Sequence, residues 1–315
     1  MPRKFDPIDL SRIKTHHLAD RKSKVSAEEF AKTWQKGASY RTFLDTLPDI
    51  LAGSQLKNII SAIVRAHRNN HTILFGMGAH VIKVGLNPIV IDLMERRIIT
   101  GVAMNGAGII HDVELAMVGR TSEDVDTALD NGSFGMARET CMFLNEAITS
   151  TRKIPTGLGE AVGRKILQKR LPLMKQSILA TGARLGIPVT VHVAIGTDIL
   201  HMHPGYDSQA AGSASHHDFR LFASLVAALE KGVYLNIGSA VILPEIFLKA
   251  TTLVRNLGYT FENFTTVNVD LIKHYRPLTN VIKRPTAKGG RGINLVGHHE
   301  ILLPLIAAGI IEEID

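Results

Sequence analysis

Two histidines one residue apart are the first residues in the sequence whose types suggest chemistry. His201 and His203 stand in the segment HVAIGTDILHMHPGYD, residues 192–207. Side chains at positions i and i+2 of an extended chain point to the same side, so the two imidazoles could bind one metal ion. They could also line a substrate pocket, where histidines bind anions or shuttle protons near neutral pH. We favour the pocket, because no His-Glu-x-x-His helix or cysteine cluster accompanies the pair. A metal site would take its other ligands from Asp198, Asp207, His216, His217 and Asp218.

The elements that must position these residues are short apolar runs that alternate with helix-like segments. The runs do not alternate in polarity and end in small or polar residues, as the buried strands of a parallel sheet do. The pattern predicts an α/β fold: a doubly wound, mostly parallel, Rossmann-like sheet covered on both faces, in one catalytic domain over residues 71–315. The runs are 72–80, 99–108, 187–198, 232–240 and 264–270, and the helix-like segments are 85–97, 113–130, 137–150, 160–185, 215–231 and 244–257.

Residues 1–70 form an N-terminal arm and helical extension in this interpretation. Ser26 and Glu29 have the spacing of a capping box, which predicts a helix from there to about Gln35. Residues 54–68 have helical periodicity, so their apolar side chains share one face. That face consists of Leu56, Ile59, Ile60, Ile63 and Val64.

Composition narrows the class of protein. The chain has 315 residues, of which 45% are hydrophobic and 21% charged, so it can bury a large core. A single cysteine, Cys141, excludes a disulfide framework and favours a reducing cytoplasm. We expect neither an export signal nor a membrane span, because no apolar run is long enough. The net charge of +7 is dispersed and aromatic residues make up only 5%, so we expect no nucleic-acid partner.

Glycines and hydrogen-bonding side chains stand where the predicted strands end. Ligands of a doubly wound sheet bind at the carboxyl ends of its strands, where glycine lets the backbone approach a ligand. Tight turns would explain some of these glycines, but not the repeated Asn and Asp. We therefore predict a dinucleotide site, although GMGAHV has valine at position 81 instead of the third glycine of the usual fingerprint. The strand-end residues include Gly76, Gly78, His80, Asn105, Gly106, Gly108, Thr197, Asp198, Asn236, Gly238, Ser239, Asn268 and Asp270.

Several segments, in order, resemble the deoxyhypusine synthase family over roughly residues 70–310. ILFGMGAHVIKVGLNPIVIDLMERRIITGVAMNGAGIIHDVE (73–114) resembles the cofactor-binding half of that family, and GTD (196–198) resembles its Thr-Asp-Gly turn. NIGSAVILPEIFLKATTLVRNLG (236–258) is similar to its glycine-rich turn and following helix, FTTVNVD to its next strand, and ILLPLIAA to its C-terminal helix. The resemblance implies NAD as cofactor, a homotetramer, polyamine metabolism, and a transferase reaction in which a lysine holds the transferred group as an imine.

The sequence departs from this family where a polyamine would bind. The family's lysine motif, Trp-Gly-Lys, is matched by Val281-Ile282-Lys283, and its paired histidines are replaced by Pro244-Glu245. No Asp or Glu occurs between residues 271 and 299, so a buried polyamine would lack carboxylates. We expect a less cationic substrate, with a phosphate or carboxylate group. We also expect four cations to face the same crevice as His201 and His203: Lys283, Arg284, Lys288 and Arg291.

These observations define three hypotheses. The first is a deoxyhypusine synthase-like, NAD-dependent transferase acting on an amine or a related small molecule. The others are a metal-dependent hydrolase that uses the His201/His203 cluster and a nucleotide-binding protein without catalysis. Under the first, the catalytic candidates are Lys283, His203, Glu245 and His201. The predicted cofactor-binding residues are Gly76, Gly78, Ala79, His80, Asn105, Gly106, Ala107, Gly108, His111, Asp112, Asp198, Gly238, Ser239, Asp270, Gly297 and His298, and no metal is predicted.

Overall fold

A six-stranded parallel sheet forms the centre of the protein in a computed structural model that describes residues 5–314. The strands lie in the order β3-β2-β1-β4-β5-β6, and every neighbouring pair is parallel. This arrangement confirms the predicted doubly wound α/β fold. The strands are β1 (Ile73–Met77), β2 (Gly101–Asn105), β3 (Val189–His192), β4 (Val233–Ile237), β5 (Thr265–Asp270) and β6 (Arg291–Val296). The first five lie within the predicted apolar runs, whereas β6 was not predicted because only alternate residues of this edge strand are buried.

Helices connect the strands, and two predicted helical segments are each divided in two. The segment 113–130 breaks where Gly119 takes a left-handed conformation, and the segment 160–185 breaks where Arg170 does so ahead of Pro172. Within residues 5–314, no helix is long and apolar enough to cross a bilayer. The helices are α1 (Tyr40–Thr46), α2 (Leu51–Arg68), α3 (His80–Lys83), α4 (Asn87–Glu95), α5 (Gly106–Val118), α6 (Val125–Asp130), α7 (Arg138–Ser150), α8 (Leu158–Lys169), α9 (Ile178–Leu185), α10 (Ser208–Ala227), α11 (Ile242–Asn256), α12 (Tyr275–Pro277) and α13 (His299–Ile314).

Both faces of the sheet are buried, as the unalternating strands predicted. Ile73, Phe75 and Met77 of β1 point into the larger core, whereas Leu74 between them points into a second core on the opposite face. In that second core the ring of Tyr234 from β4 stacks on Phe247 of α11, with ring centroids 3.9 Å apart. Because side chains alternate across a strand, continuous apolar runs require helices on both faces.

The N-terminal extension consists of two dissimilar parts. The apolar face predicted within residues 54–68 is buried on α2 and belongs to the same core as β1, so α2 packs on the sheet, whereas α1 packs on α13. Residues 5–39 bury no side chain. The capping box of Ser26 and Glu29 is present, but it begins only the short 3-10 helix Ala27–Glu29. The prediction of a helix to Gln35 is wrong, because isolated helical turns without tertiary packing are unstable.

Candidate functional site

Two glycines bring the ends of β1 and β4 into contact at the centre of the sheet. The amide of Gly78 donates to the carbonyl of Ile237 over 2.9 Å, and a Cβ on Gly78 would lie 2.0 Å from the carbonyl oxygen of Gly238. Gly238 has φ +63°, which favours glycine. The strand order reverses between β1 and β4, and a doubly wound sheet opens its ligand crevice at such a point. Gly78 and Gly238 therefore lie just beyond the ends of β1 and β4, and their role in binding a cofactor stays a prediction.

Asp198 occupies the end of β2, although it comes from the segment that follows β3. A Cβ on Gly106, the first residue of α5, would lie 2.1 Å from Oδ2 of Asp198. The same oxygen accepts a hydrogen bond from the amide of Ala194 over 3.0 Å. Asp198 is buried, and burial raises the pKa of its carboxyl. Asn105 is the N-cap of α5, because its side-chain oxygen accepts from the amide of Gly108 over 3.1 Å.

A cavity of about 570 Å³ lies beside Asp198, in the size range of small-molecule sites. His111 lines it, and its Nδ1 lies 2.6 Å from the hydroxyl of Thr121. That hydroxyl donates its proton to Glu114, so Nδ1 of His111 must donate and Nε2 is an acceptor. Burial, together with the charge of Lys83, lowers the pKa of His111 to about 4, so the ring is neutral near pH 7. The wall also includes Lys83, Ala107, Arg120, Glu123, Thr197 and Asp198.

Three predicted cofactor residues have structural roles inside the fold. The carboxylate of Asp112 is fully buried and caps α9, where it accepts from the amides of Ile178 and Leu179 and from the hydroxyl of Ser177. Gly76 lies within β1, and a Cβ there would be 2.6 Å from the hydroxyl oxygen of Tyr234. Gly108 faces Met104 in the first turn of α5. Packing accounts for these three residues, so they carry no evidence of a ligand.

An asparagine ladder fixes the ends of β4, β5 and β6 relative to one another. The side-chain amide of Asn236 donates to Asn268 over 2.8 Å, and that of Asn268 donates to Asn294 over 2.8 Å. Asn236 also donates to the carbonyl of Ser239, whose hydroxyl in turn accepts from the amide of Leu243 in α11. The ladder therefore positions Ser239 at the crevice, and the Ser239 hydroxyl caps a helix.

His299 is a buried residue of this edge that the sequence analysis missed. Its ring lies beside Gly238, with Nε2 3.2 Å from the carbonyl oxygen of Val269. The ring is inclined at 64° to that of His80, with centroids 5.3 Å apart. Asp270 ends β5 in the same region, whereas His298 is exposed beside Gly297. The only signal for His299 in the sequence was its position three residues after β6, which itself was not predicted.

His201 and His203 do not line the cavity. His201 lies in the 3-10 helix Ile199–Met202, where its Nδ1 accepts from the amide of Gly196 over 3.3 Å and its ring contacts Tyr206. Within residues 5–314, no group of three or more His, Cys, Asp or Glu side chains could hold a metal. Asp218, one of the proposed ligands, instead accepts from the amides of Gly159 and Val191 in the interior. The metal-dependent alternative therefore has no support in the structure.

The predicted grouping of Lys283, Lys288 and Arg291 with the histidines is wrong, and the fourth cation, Arg284, donates to the side chain of Asn280 over 2.9 Å. Arg291 pairs with Thr265, the first residue of β5, so Arg291 and the preceding Lys288 lie at the amino edge of the sheet, opposite the crevice. Lys283 is exposed at the end of a π-helical turn, Leu278–Lys283. The carbonyl of the preceding Ile282 lies against Gly292, near the same amino edge. The chain reverses direction after β5, which a distance along the sequence does not reveal.

Glu245, the fourth catalytic candidate, is engaged by neighbouring side chains on α11 and α12. It accepts from the side-chain amide of Asn280 over 2.8 Å and pairs with Lys249 and with Arg276. The hydrogen bond from Lys249 makes the largest contribution to lowering the pKa of the Glu245 carboxyl. Its charge is already balanced by two cations, so Glu245 is a poor candidate for a base or for a cation site.

Comparisons with known proteins support the fold. No family model matches the chain, and no curated protein matches it. Among solved structures, a provisionally assigned deoxyhypusine synthase from Entamoeba histolytica is similar, with a TM-score of 0.55 and 12% identity over 90% of this chain and 96% of that one. A ternary complex of AgrE with ornithine and NAD⁺ has a TM-score of 0.55 and 14% identity, covering 85% of this chain and 34% of that one.

A provisionally assigned LOR/SDH protein from Methanococcus maripaludis S2 has a TM-score of 0.51 and 15% identity, over 93% of this chain and 75% of that one. The chain spans about a third of the length of AgrE and of the cyanobacterial arginine dihydrolase ArgZ. At these sequence identities, the comparisons show a similarity of fold alone. It places the chain among Rossmann-like α/β proteins whose solved representatives include enzymes and an NAD⁺ complex.

Proposed function

We propose that this protein is an NAD-dependent enzyme that oxidises a small substrate at a carbon bearing an amino group. The observation that carries the proposal is the buried carboxylate of Asp198 on the wall of the 570 Å³ cavity, beside the first residue of α5. In doubly wound folds an acidic side chain beyond the second strand binds the ribose hydroxyls of adenosine. Asp198 reaches that place from the segment after β3, which explains why β2 itself ends in Asn105.

The residues around the crevice suit the remaining parts of the dinucleotide. The turn that follows β1 is where a doubly wound fold would hold the pyrophosphate, and His111 and Ala107 line the cavity for the adenosine. Gly238, Ser239 and Gly297 lie toward β4–β6, on the side left for the nicotinamide. When bound, NAD would supply an acceptor for a hydride from the substrate carbon. Gly76, Gly108 and Asp112 are no part of this proposal.

The choice of an amine substrate rests on similarity in fold to AgrE and on two buried hydrogen-bond acceptors, Oδ2 of Asp270 and Nδ1 of His299. AgrE was solved with ornithine and NAD⁺, and a deoxyhypusine synthase is also similar in fold. Ornithine carries amino groups, and the family resemblance in the sequence implies an amine substrate as well. A transferase reaction through Lys283 is not part of the proposal, because that lysine is exposed near the amino edge of the sheet.

Titration with NAD tests the proposal. We expect calorimetry on protein free of copurified ligand to give a dissociation constant in the micromolar range, and Asp198→Asn to weaken it by about tenfold. NADP should bind more weakly than NAD to the wild type, because its ribose phosphate meets a carboxylate. Asp126→Asn, an exposed change on α6, is the matched control. Absence of NAD binding up to millimolar concentration would overturn the proposal.

Catalysis separates this proposal from a non-catalytic nucleotide-binding protein. An enzyme should form NADH when amines are supplied with NAD, which absorbance at about 340 nm detects, or exchange label at the carbon that bears the amine when the hydride returns. NAD binding without either signal for any amine would favour the non-catalytic alternative. A small-molecule substrate, a cytoplasmic location and the absence of nucleic-acid and membrane partners stay predictions.

A further inference from the structure

Two buried acceptors at the ends of β5 and β6 have no partner. Asp270 is 6% exposed and His299 is 1% exposed, yet Oδ2 of Asp270 and Nδ1 of His299 make no hydrogen bond. Oδ1 of Asp270 is satisfied by the amide of Leu271 over 2.8 Å. A buried polar atom without a partner costs on the order of 1–3 kcal/mol, so native proteins rarely keep one without a reason. Here one such atom lies at the end of β5 and the other on the first residue of α13, three residues after β6.

The hydrogen bond to Val269 decides the chemical state of His299. A carbonyl oxygen can only accept, so Nε2, 3.2 Å from the carbonyl of Val269, carries the hydrogen. In the neutral ring, Nδ1 then has a lone pair and no proton. Burial makes the largest contribution and lowers the pKa of His299, and His80 lowers it further. The Val269 carbonyl, Asp270 and Glu300 oppose this with smaller contributions. The pKa stays lowered, so the neutral form prevails near pH 7. His299 is thus a base with its acceptor nitrogen free.

Both free atoms are acceptors, so the group that satisfies them must be a donor. Asp270 is a carboxylate, and the titratable groups that face His299 besides it are His80 and Glu300. His274 stands 4.0 Å from Oδ2 of Asp270. A ligand with several N–H donors and a positive charge matches one carboxylate and one neutral imidazole. An ammonium group has these properties, and a phosphate or carboxylate group has none of them.

We propose that Asp270 and His299 bind the amino group of the substrate, and that Nδ1 of His299 accepts a proton from it. This inference deepens the proposed function and rests on it for the step that follows deprotonation. An N–H bond of the ammonium breaks, an N–H bond to Nδ1 forms, and the electron pair stays on the amine nitrogen. Asp270 stabilises the imidazolium that results. With NAD⁺ bound as the oxidant, the free pair on nitrogen would allow the neighbouring carbon to give up a hydride to it.

The position of His299 relative to the crevice supports this assignment. A Cβ on Gly238 would lie 3.0 Å from Cε1 of His299, so the edge of the ring that carries both nitrogens faces the Gly238 turn. His80, which begins α3 after β1, lies beside His299 with its ring inclined at 64° to that of His299. The amine site and the dinucleotide crevice therefore share the turns after β1 and β4. A substrate carbon held there would be adjacent to the part of the crevice assigned to the nicotinamide.

Amine binding is tested first on the wild-type protein without NAD. Proton-detected NMR of ¹⁵N-histidine-labelled protein reports the state of His299 directly, with assignment from the spectrum of His299→Gln. We expect the His299 Nδ1 signal to shift on titration with n-butylamine, putrescine or L-ornithine, and not with butyrate at equal ionic strength. Unchanged His299 signals up to about 50 mM amine, a concentration far above ordinary substrate affinities, would overturn the inference and identify the free acceptors as water sites.

Two variants separate binding from proton transfer. Asp270→Asn should weaken amine binding by about tenfold or more and leave NAD binding unchanged. His299→Gln, whose amide can still donate to the carbonyl of Val269, should keep amine affinity within about threefold, lower kcat by about a hundredfold and remove the acidic limb of the pH profile of kcat. His216→Gln, an exposed change on α10, is the control. An unchanged pH profile in His299→Gln would exclude proton transfer through this residue.

The outcomes distinguish this inference from the proposed function. If amines bind at His299 but NAD does not bind at all, the amine site stands and the redox function fails. If NAD binds and no amine perturbs His299, the amine site is wrong while the dinucleotide site stands. If Asp270→Asn does not fold, the wild-type NMR titration alone decides, since it requires no substitution.

Discussion

The carboxylate of Asp198 lies against the α-carbon of Gly106, so closely that a Cβ on Gly106 would be 2.1 Å from Oδ2. The two residues are far apart in sequence and come from different strand ends. Their contact places one buried negative charge at the start of α5 and on the wall of the cavity. The position of the proposed ribose-binding carboxylate depends on this contact.

Gly106→Ala should break this contact. The new methyl group displaces the Asp198 side chain, so we expect NAD affinity to fall by about tenfold or more and stability to fall by about 1–3 kcal/mol. Calorimetry and thermal unfolding measure the two effects. Gly212→Ala on α10 is the control, since its Cβ would meet nothing within 4 Å, and it should be neutral or slightly stabilising. Full NAD affinity in Gly106→Ala would contradict the role of Asp198.

Stability should depend on pH through the buried carboxyl of Asp218. Burial raises the pKa of Asp218 to about 7 in the folded protein, whereas an unfolded Asp titrates near about 4. Between these values the folded state holds a proton that the unfolded state has lost. The stabilisation is therefore complete below about pH 4 and is lost as the pH rises to about 7.

Asp218→Asn removes this titration, so the difference in unfolding free energy between wild type and variant should change by on the order of 3 kcal/mol from about pH 4.5 to about pH 7.5. Urea unfolding of both proteins at matched ionic strength measures it. Comparing the two proteins cancels the contributions of groups whose titration changes stability in the opposite direction. One such group is Asp207, whose pKa is lowered to about 2, first of all by its hydrogen bond from Arg152. A constant difference would mean that Asp218 titrates normally.

Lys283→Ala distinguishes the structure from the sequence resemblance. The exposed position of Lys283 near the amino edge predicts that NAD affinity and turnover change less than about twofold. Lys288→Ala, on the following exposed loop, serves for comparison. Loss of turnover with retained NAD binding in Lys283→Ala alone would restore the lysine role that the resemblance implies, through contact with another copy of the chain.

The oligomeric state stays a prediction from the family resemblance. We expect a homotetramer, so sedimentation at micromolar concentration should give a species several times the 34.4 kDa of one chain. In a series of protein concentrations, this mass should decrease only at the lowest concentrations. A 34.4 kDa species throughout would mean that each dinucleotide site is complete within one chain.

The sequence by itself determined the fold and the ends of the first five strands. Apolar runs without alternation require a sheet buried on both faces, and glycines at their ends marked Gly78, Gly106 and Gly238 as places of close approach. These conclusions need only local patterns, since the period of side-chain burial and the freedom of glycine are properties of a short segment.

Only the tertiary structure decided which polar residues share a site. Asp198 meets Gly106, and His299 meets Gly238 and His80, across distances in sequence that no local pattern encodes. Lys288 and Arg291 follow β5 in sequence but lie at the opposite edge, because the chain must return from the carboxyl edge to the amino edge before β6 begins parallel to β5. In a parallel sheet, the chain returns from the carboxyl edge to the amino edge between successive strands. Residues close in sequence can therefore lie at opposite edges, and residues far apart in sequence can meet at one edge.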